Sequence, residues 1–431
     1  MKKWIPLLLP SLMWGQTYQE VINNINTAPS VQSAQHMQKA AYENTKMTEG
    51  KNYPTIDASL TAIRFQETPT VTFYLPTAQT APMGTKNHTE GAITMSYPLF
   101  SGFAISAVNE KAAIEHEKAG LAVSDLKRNL YLNATQLYAN VISADSTIES
   151  LGVAKKAMDD AYAKAKGFYD HGLLAPSELY AIEAKQYSVE AQLSQSKGHK
   201  RQALNQLSYL THSNIKEVTP FTDTLDTPSH DDLVAIALSE REDLKALAKG
   251  LNLAQSDITL AKSQYYPNIA LVGALKHQGN TLELNGDGYS NANKSYAGAT
   301  ASWNLFNGMS DSHGVQAAQA QKLSSQLTYE DYKKKVTMEI DNAYEELSTL
   351  ESMLQSAQME VKAAQEYANL TRGRFDNKLA SADELSRSIA DLSSTKAKEA
   401  ILKGDLFTQK ATLWLLGGLK VYEEKVLKKT N

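Results

Sequence analysis

The chain has 431 residues, with 43 Lys+Arg against 47 Asp+Glu, a net charge of −4, and no cysteine. Charge this evenly balanced, with no basic run longer than the three lysines Lys333–Lys335, argues against a nucleic-acid partner. The missing cysteine rules out thiolate catalysis, Cys-ligated zinc, disulfides and a lipid-modified N-terminal cysteine within this sequence.

At the start, Lys2 and Lys3 precede an apolar run over 4–14 that Pro6 and Pro10 interrupt. This reads as a short signal peptide over 1–15, although Met13 is a poor residue two positions before a cut at Gly15. No later stretch approaches 18 apolar residues, so no spanning helix is expected. Any passage through a membrane would have to be made by a β-barrel.

Residues 17–51 read as a helical, Ala- and Gln-rich segment leading to Tyr53-Pro54. A strand is expected over 55–65, then a Pro/Thr-rich loop over 66–87, then a strand over 88–100. One face of the second strand carries Gly91, Ile93, Met95, Tyr97 and Leu99, and the other Glu90, Ala92, Thr94 and Ser96. Apolar-out, polar-in alternation suits a transmembrane barrel strand, and equally a half-buried soluble sheet. After Gly102 the chain runs without proline to Gly172, a helix of about 100 Å at roughly 1.5 Å per residue. Leu130, Ala134, Leu137, Val141, Ala144, Ile148 and Leu151 alternate steps of four and three, the spacing of a coiled-coil seam. The turn "KGFYDHGLLAPSEL" follows, with Pro176 opening a return helix and Glu178 two residues on.

All of this recurs. "REDLKALAKGLNLAQSDITLAKSQYYPNIAL" sets Pro267 213 positions after Pro54, and "WNLFNG" sets Trp303 206 after Tyr97. The first copy therefore holds a loop seven residues longer between its strands. In the second copy strands are expected over 268–276 and 295–306, with Ala297, Ala299, Ala301, Trp303 and Leu305 on one face. Val336, Ile340, Ala343, Leu347, Leu350, Leu354, Ala357, Val361 and Ala364 form the second seam. The second turn, "RGRFDNKLASADEL", has Lys378 where the first has Gly172, and Ser381 with Glu384 reads as a capping box. The expected organisation is a signal peptide 1–15, a first repeat 16–212, a linker 213–229 with Pro220 and Pro228, a second repeat 230–418 and a tail 419–431. "ELNGDGYSNAN" lacks a repeated acidic ligand pattern and reads as a solvated turn. No metal, cofactor or catalytic constellation is evident.

The "LFSG" and "LFNG" strand-to-helix junctions, the "YPTI" and "YYPNI" strand starts, "REDLKALAKG" and the Gly172–Leu179 turn resemble those of the outer-membrane efflux proteins, the TolC-type channels. The likeness spans 17–418, in order and twice. It implies an α+β membrane protein, with a long α-helical coiled-coil barrel continuous with a twelve-stranded transmembrane β-barrel. A homotrimer would share that barrel, four strands per chain, in the outer membrane of a Gram-negative cell, with the helices in the periplasm. It implies export of drugs, metals or proteins with a periplasmic adaptor and an inner-membrane pump, contact with outer-membrane lipid, no cofactor and no enzyme activity. By the same resemblance Glu178 and Glu384, with Asp383, form an acidic aperture. Gly172, Leu173, Pro176, Ser177, Lys378 and Ser381 make the periplasmic tip turns, and Tyr97 and Trp303 are membrane-interface aromatics. Lys378 and Ala380 depart from the family pattern at positions that bear on the closed state. The competing expectation is a periplasmic coiled-coil scaffold or tether.

Overall fold

The computed structural model describes residues 15–74, 76–220, 225–288 and 292–428. The expected signal peptide, apart from Gly15, lies outside the described residues, as do 289–291 of the "ELNGDGYSNAN" turn.

The first half runs α1 (Tyr18–Ile25), α2 (Pro29–Glu49), a 3-10 turn, β1 (Thr55–Arg64), β2 (Thr70–Tyr74), β3 (Ala78–Pro82), β4 (Asn87–Ser101), α3 (Ala104–Asp170) and α4 (Pro176–Thr211). The second runs α5 (His230–Glu240), α6 (Glu242–Lys262), a 3-10 turn, β5 (Asn268–Gly279), β6 (Tyr296–Ser302), α7 (Ser310–Asp376) and α8 (Ala382–Leu416). A short α9 (Leu419–Tyr422) and a π-turn follow. α2 and α6 are each 21 residues long and start 213 positions apart. α3 and α7 are each 67 residues long and start 206 apart.

Three elements differ from expectation. The 17–51 segment is two helices, because Pro29 lacks an amide hydrogen and opens a new helix instead of extending α1. The 66–87 loop contains the antiparallel hairpin β2–β3, in which the Thr72 and Thr80 hydroxyls meet at 3.0 Å. Val71, Phe73 and Tyr74 supply the strand-forming side chains there. The strand expected over 295–306 ends at Ser302, so Trp303 and Leu305 lie beyond the sheet.

The chain forms two compact units, each drawing on both halves. One (Met37–Ala119 and Leu247–Tyr329) holds the antiparallel sheet β1-β4-β5-β6. Cross-strand register decides its faces. Ile56, Met95, Gly273 and Ala297 form one rung, and Ala58, Ile93 and Leu275 lie on another of the same face. Asp57, Thr94, Ala274 and Tyr296 form a rung of the opposite face, where Lys276 pairs with Glu90 at 3.0 Å. The apolar face is uncovered, with Ile56 69% and Leu275 63% exposed, whereas Ala92 and Ala274 on the polar face are buried. A half-buried soluble sheet would show the reverse. β4 bulges at Leu99, next to Pro98, whose nitrogen cannot join the ladder.

The other unit (Met1–His36, Gly120–Ala246 and Glu330–Asn431) is helical. The α7 seam lies where its spacing puts it: Val336, Ile340, Ala343, Leu347, Leu350 and Ala357 are buried, and Leu350 packs with Leu402 of α8. The α3 seam is broader than its spacing predicts. Ala134, Val141 and Leu151 are buried as expected, but Leu130 and Leu137 are only half-buried, while their neighbours Tyr131 and Tyr138 are fully buried. Burial suits these tyrosines because their hydroxyls have partners. Tyr138 donates to the Thr219 carbonyl (2.7 Å) and Tyr131 to Glu423 (3.2 Å), while Tyr18 bonds Thr135 (2.6 Å) and Tyr422. Desolvation pushes the Tyr18 hydroxyl up to about 12. The start of the expected linker is packed as well: Ile215 and Val218 are buried, and Val218 bridges to Gln16, while 221–224 lie outside the described residues.

"RED" closes the gap between α5 and α6. Arg241 is buried, with Nε 3.0 Å from Asp243 and Nη2 2.7 Å from Glu339, and the Tyr332 hydroxyl donates to Asp243 at 2.8 Å. Desolvation pushes the Tyr332 hydroxyl up to about 12, and the hydrogen bond and charge of Asp243 add to the shift. Glu242 accepts from the Leu419 amide at 3.0 Å, and burial pushes its carboxyl above the usual range. A buried guanidinium needs such partners, since an unpaired one would be too costly to desolvate.

Candidate functional site: the two helical tips

Each long helix ends in the same turn. After α3, the Gly172 amide donates to Tyr169 and the Leu173 amide to Phe168, both at 2.8 Å, with Gly172 at φ +69°. After α7, the Lys378 amide donates to Phe375 (2.9 Å) and the Leu379 amide to Arg374 (2.8 Å), with Lys378 at φ +63°. This is a Schellman closure, whose left-handed residue is normally glycine because a Cβ there is strained. Lys378 accepts that strain and sets its ammonium 5.3 Å from the Phe168 ring centroid. Phe168 and Phe375 in turn pack at 5.9 Å, joining the two tips.

The return helices are capped differently. α4 starts at Pro176, after Ala175, which supplies no side-chain cap, and Ser177 is exposed. α8 is capped by Ser381, whose hydroxyl accepts from the Glu384 amide at 3.1 Å. The expected capping box is only half formed, because the Glu384 carboxylate does not reach back to Ser381. Arg374 Nη1 holds it at 2.6 Å, and Nη2 of the same guanidinium donates to the Leu379 carbonyl at 3.1 Å. The charge-assisted bond from a guanidinium is stronger than one from a neutral backbone amide, so the carboxylate goes to Arg374. Asp383 is paired with Arg387 at 2.8 Å. Among the described residues the half-buried Glu178 carboxylate has no such partner.

The predicted Gly172, Leu173, Pro176, Ser177 and Glu178 lie on the first tip and Lys378, Ser381, Asp383 and Glu384 on the second, and the tips adjoin through Phe168, Phe375 and Lys378. Sequence reasoning missed Phe168, Arg374 and Arg387. The 206-position offset held the signal, since it sets Arg374 against Phe168. Of the three predicted carboxylates, Glu384 and Asp383 are each neutralised by an arginine, and among the described residues Glu178 is not.

The family model for "outer membrane efflux protein" matches residues 23–211 and 233–419. The chain belongs to the outer membrane efflux protein family. It is an outer-membrane efflux channel of a Gram-negative cell, with its helical part in the periplasm. A search among curated proteins finds no match. Among solved structures, the Vibrio cholerae outer membrane protein VceC is similar at 17% identity, covering 93% of this chain and 96% of that one, with a TM-score of 0.79. The Campylobacter jejuni outer membrane channel CmeC is similar at 14% identity, covering 96% and 88%, with a TM-score of 0.78. The open state of the Neisseria gonorrhoeae outer membrane channel MtrE is similar at 16%, covering 93% and 89%, with a TM-score of 0.74.

In this efflux protein the two aromatics expected at the membrane interface sit differently. Tyr97 is on β4, opposite Leu271 and on a rung with Ala299. Trp303, 59% exposed, lies four residues past Ala299, about 13 Å further at roughly 3.3 Å per residue. Its indole donates to the Tyr265 carbonyl at 3.2 Å. At this end of the sheet Phe100, Phe103 and Tyr266 pack edge-to-face, with centroids 5.4 to 6.2 Å apart. No described helix is long and apolar enough to cross a membrane.

Proposed function

We propose that three copies of this chain close one twelve-stranded barrel and one helical tunnel. The trimer then serves as the passive outer-membrane conduit of a tripartite efflux or type I secretion assembly, with a periplasmic adaptor and an inner-membrane pump. The single observation that carries this reading is the open four-stranded sheet. Its apolar face is uncovered, and among the described residues its edges β1 and β6 pair with no further strand. In lipid such edges leave backbone groups without partners, and four strands are too few to close a barrel. A periplasmic tether would gain nothing from that apolar face. The halves 16–212 and 230–418, joined by 213–229, are read as one duplicated unit. Tyr97 and Trp303 would then meet the lipid boundary, with the sheet-end aromatics Phe100, Phe103 and Tyr266 beside Trp303.

The tips form the periplasmic aperture in this reading. Three copies of Glu178, Glu384 and Asp383 ring the lumen, and their mutual repulsion favours cations there. Because Arg374 and Arg387 neutralise Glu384 and Asp383, Glu178 supplies most of the free charge. Planar-bilayer recording tests this. Glu178→Gln should lower cation selectivity and relieve block by multivalent cations more than Glu384→Gln does, with trimer yield unchanged. Unaltered selectivity in the Glu178→Gln/Glu384→Gln double variant would make these carboxylates helix-end residues only.

A further inference from the structure

Within the helical unit, beginning less than two helical turns from the α7–α8 tip, α3, α7 and α8 enclose a cavity of about 120 Å³. That is close to the volume known to hold a single aromatic ring. Ala157, Ile389 and Leu392 give it an apolar floor, and Val153, 64% exposed, marks its opening to solvent. Two cations, Arg372 and Lys396, stand in its lining, and no carboxylate does. Among the described residues neither cation has an ion-pair or hydrogen-bond partner. Elsewhere on these helices Lys164 is committed to Asp376, Lys398 to Glu360 and Arg374 to Glu384.

A third group points the same way. Ser393 lines the cavity and is 4% exposed, yet its hydroxyl makes no hydrogen bond. Ser388, one and a half turns earlier, satisfies its hydroxyl on the Leu385 carbonyl at 2.8 Å. A buried hydroxyl left unpaired is costly, and a ligand that bonds to it recovers that cost.

We infer that this cavity binds a compact organic monoanion, an aromatic or short branched carboxylate. Its carboxylate meets Arg372 and Lys396, its apolar body covers Ile389 and Leu392, and the Ser393 hydroxyl donates to it. A cation is excluded by the two like charges. Inorganic phosphate fits poorly because it would desolvate the apolar floor without covering it. The occupant would bridge α3 to the α7–α8 hairpin. The inference stands independently of conduction.

The test is fluorine NMR on the purified full-length protein, with 4-fluorobenzoate as probe and 4-fluorobenzylamine as the cationic control. Saturable binding of one benzoate per chain is expected, with none of the amine. Arg372→Gln/Lys396→Gln, at exposed and half-buried positions, should weaken it at least about tenfold. Ser393→Ala should weaken it several-fold while leaving the melting temperature of the ligand-free protein undiminished. No saturable binding at about 10 mM, equal binding of the amine, or undiminished binding in the double variant would overturn the inference.

Discussion

At the first tip Phe168 precedes the turn, Gly172 makes it, and the Glu178 carboxylate has no partner among the described residues. At the second tip, 206 positions on, Arg374 replaces Phe168, Lys378 replaces Gly172, and Glu384 is held at 2.6 Å. The backbone hydrogen bonds are the same, so the difference comes from two side chains. The two tips share a turn whose geometry depends on backbone closure. Its electrostatics depend on single residues, and these diverged. The long helices that carry the tips diverged in the same manner: α7 buries a narrow seam, while α3 buries a broader one built around tyrosines.

The strongest way to break this comparison is along the helices. Leu350 on α7 is equivalent to Ala144 on α3, and only Leu350 is buried. Leu350→Asp should cost roughly 3–5 kcal/mol, because its carboxylate would be buried beside Leu402 without a partner. Ala144→Asp should cost less than half as much. Thermal unfolding of the purified protein measures both, and equal losses would mean that the helices are packed alike.

Next come two equivalent tyrosines that hold the 213–229 segment. Tyr138 donates to the Thr219 carbonyl at 2.7 Å, and Tyr344 to the Pro228 carbonyl at 2.6 Å. Removing either hydroxyl leaves an acceptor short of a partner, at about 1–2 kcal/mol. Tyr138→Phe should be the costlier because Tyr138 is fully buried and Tyr344 only half-buried. The melting temperatures of the two variants should rank in that order.

The turns themselves give a smaller effect. Gly172→Ala should destabilise by about 1 kcal/mol, since it places a Cβ in the left-handed region. Lys378→Gly should change stability by less than about half of that. Relief of strain is offset by the greater freedom of glycine in the unfolded chain and by the lost contact with Phe168. A large gain from Lys378→Gly would show that the lysine is tolerated for its charge at the expense of stability.

The smallest expected effect lies where α5 meets α7. His230 Nδ1 is 3.0 Å from Asp231 and Nε2 is 2.8 Å from Asp341, and these bonds raise its pKa above the ordinary value. A raised folded-state pKa favours the folded protein fully below about 6.5, and that contribution fades as pH rises through the folded value. His230→Gln should therefore flatten the pH dependence of melting around neutrality slightly, and most visibly at low salt. A profile identical to that of the parent protein would mean that the two aspartates do not clasp the ring in solution.

Much of this molecule is written in local pattern. The duplication, the equal lengths of α3 and α7, the α7 seam and the two faces of β4 all follow from spacing along the chain. Side-chain direction repeats with the backbone, so periodicity alone determines them. The left-handed position at Lys378 was legible for the same reason, because alignment set it on Gly172. The tertiary structure decided which stripe of α3 is buried. Tyr131 and Tyr138 become core residues only once Glu423 and Thr219, far along the chain, accept hydrogen bonds from their hydroxyls. It decided that the apolar sheet face stays uncovered, since alternation is the same in a soluble sheet. It also decided the charge of the tips. Glu178 and Glu384 occupy equivalent positions in the two copies, and the structure shows that the guanidinium of Arg374, which stands where the first copy has Phe168, reaches Glu384. An ion pair is set by distance in space, which periodicity along the chain does not encode.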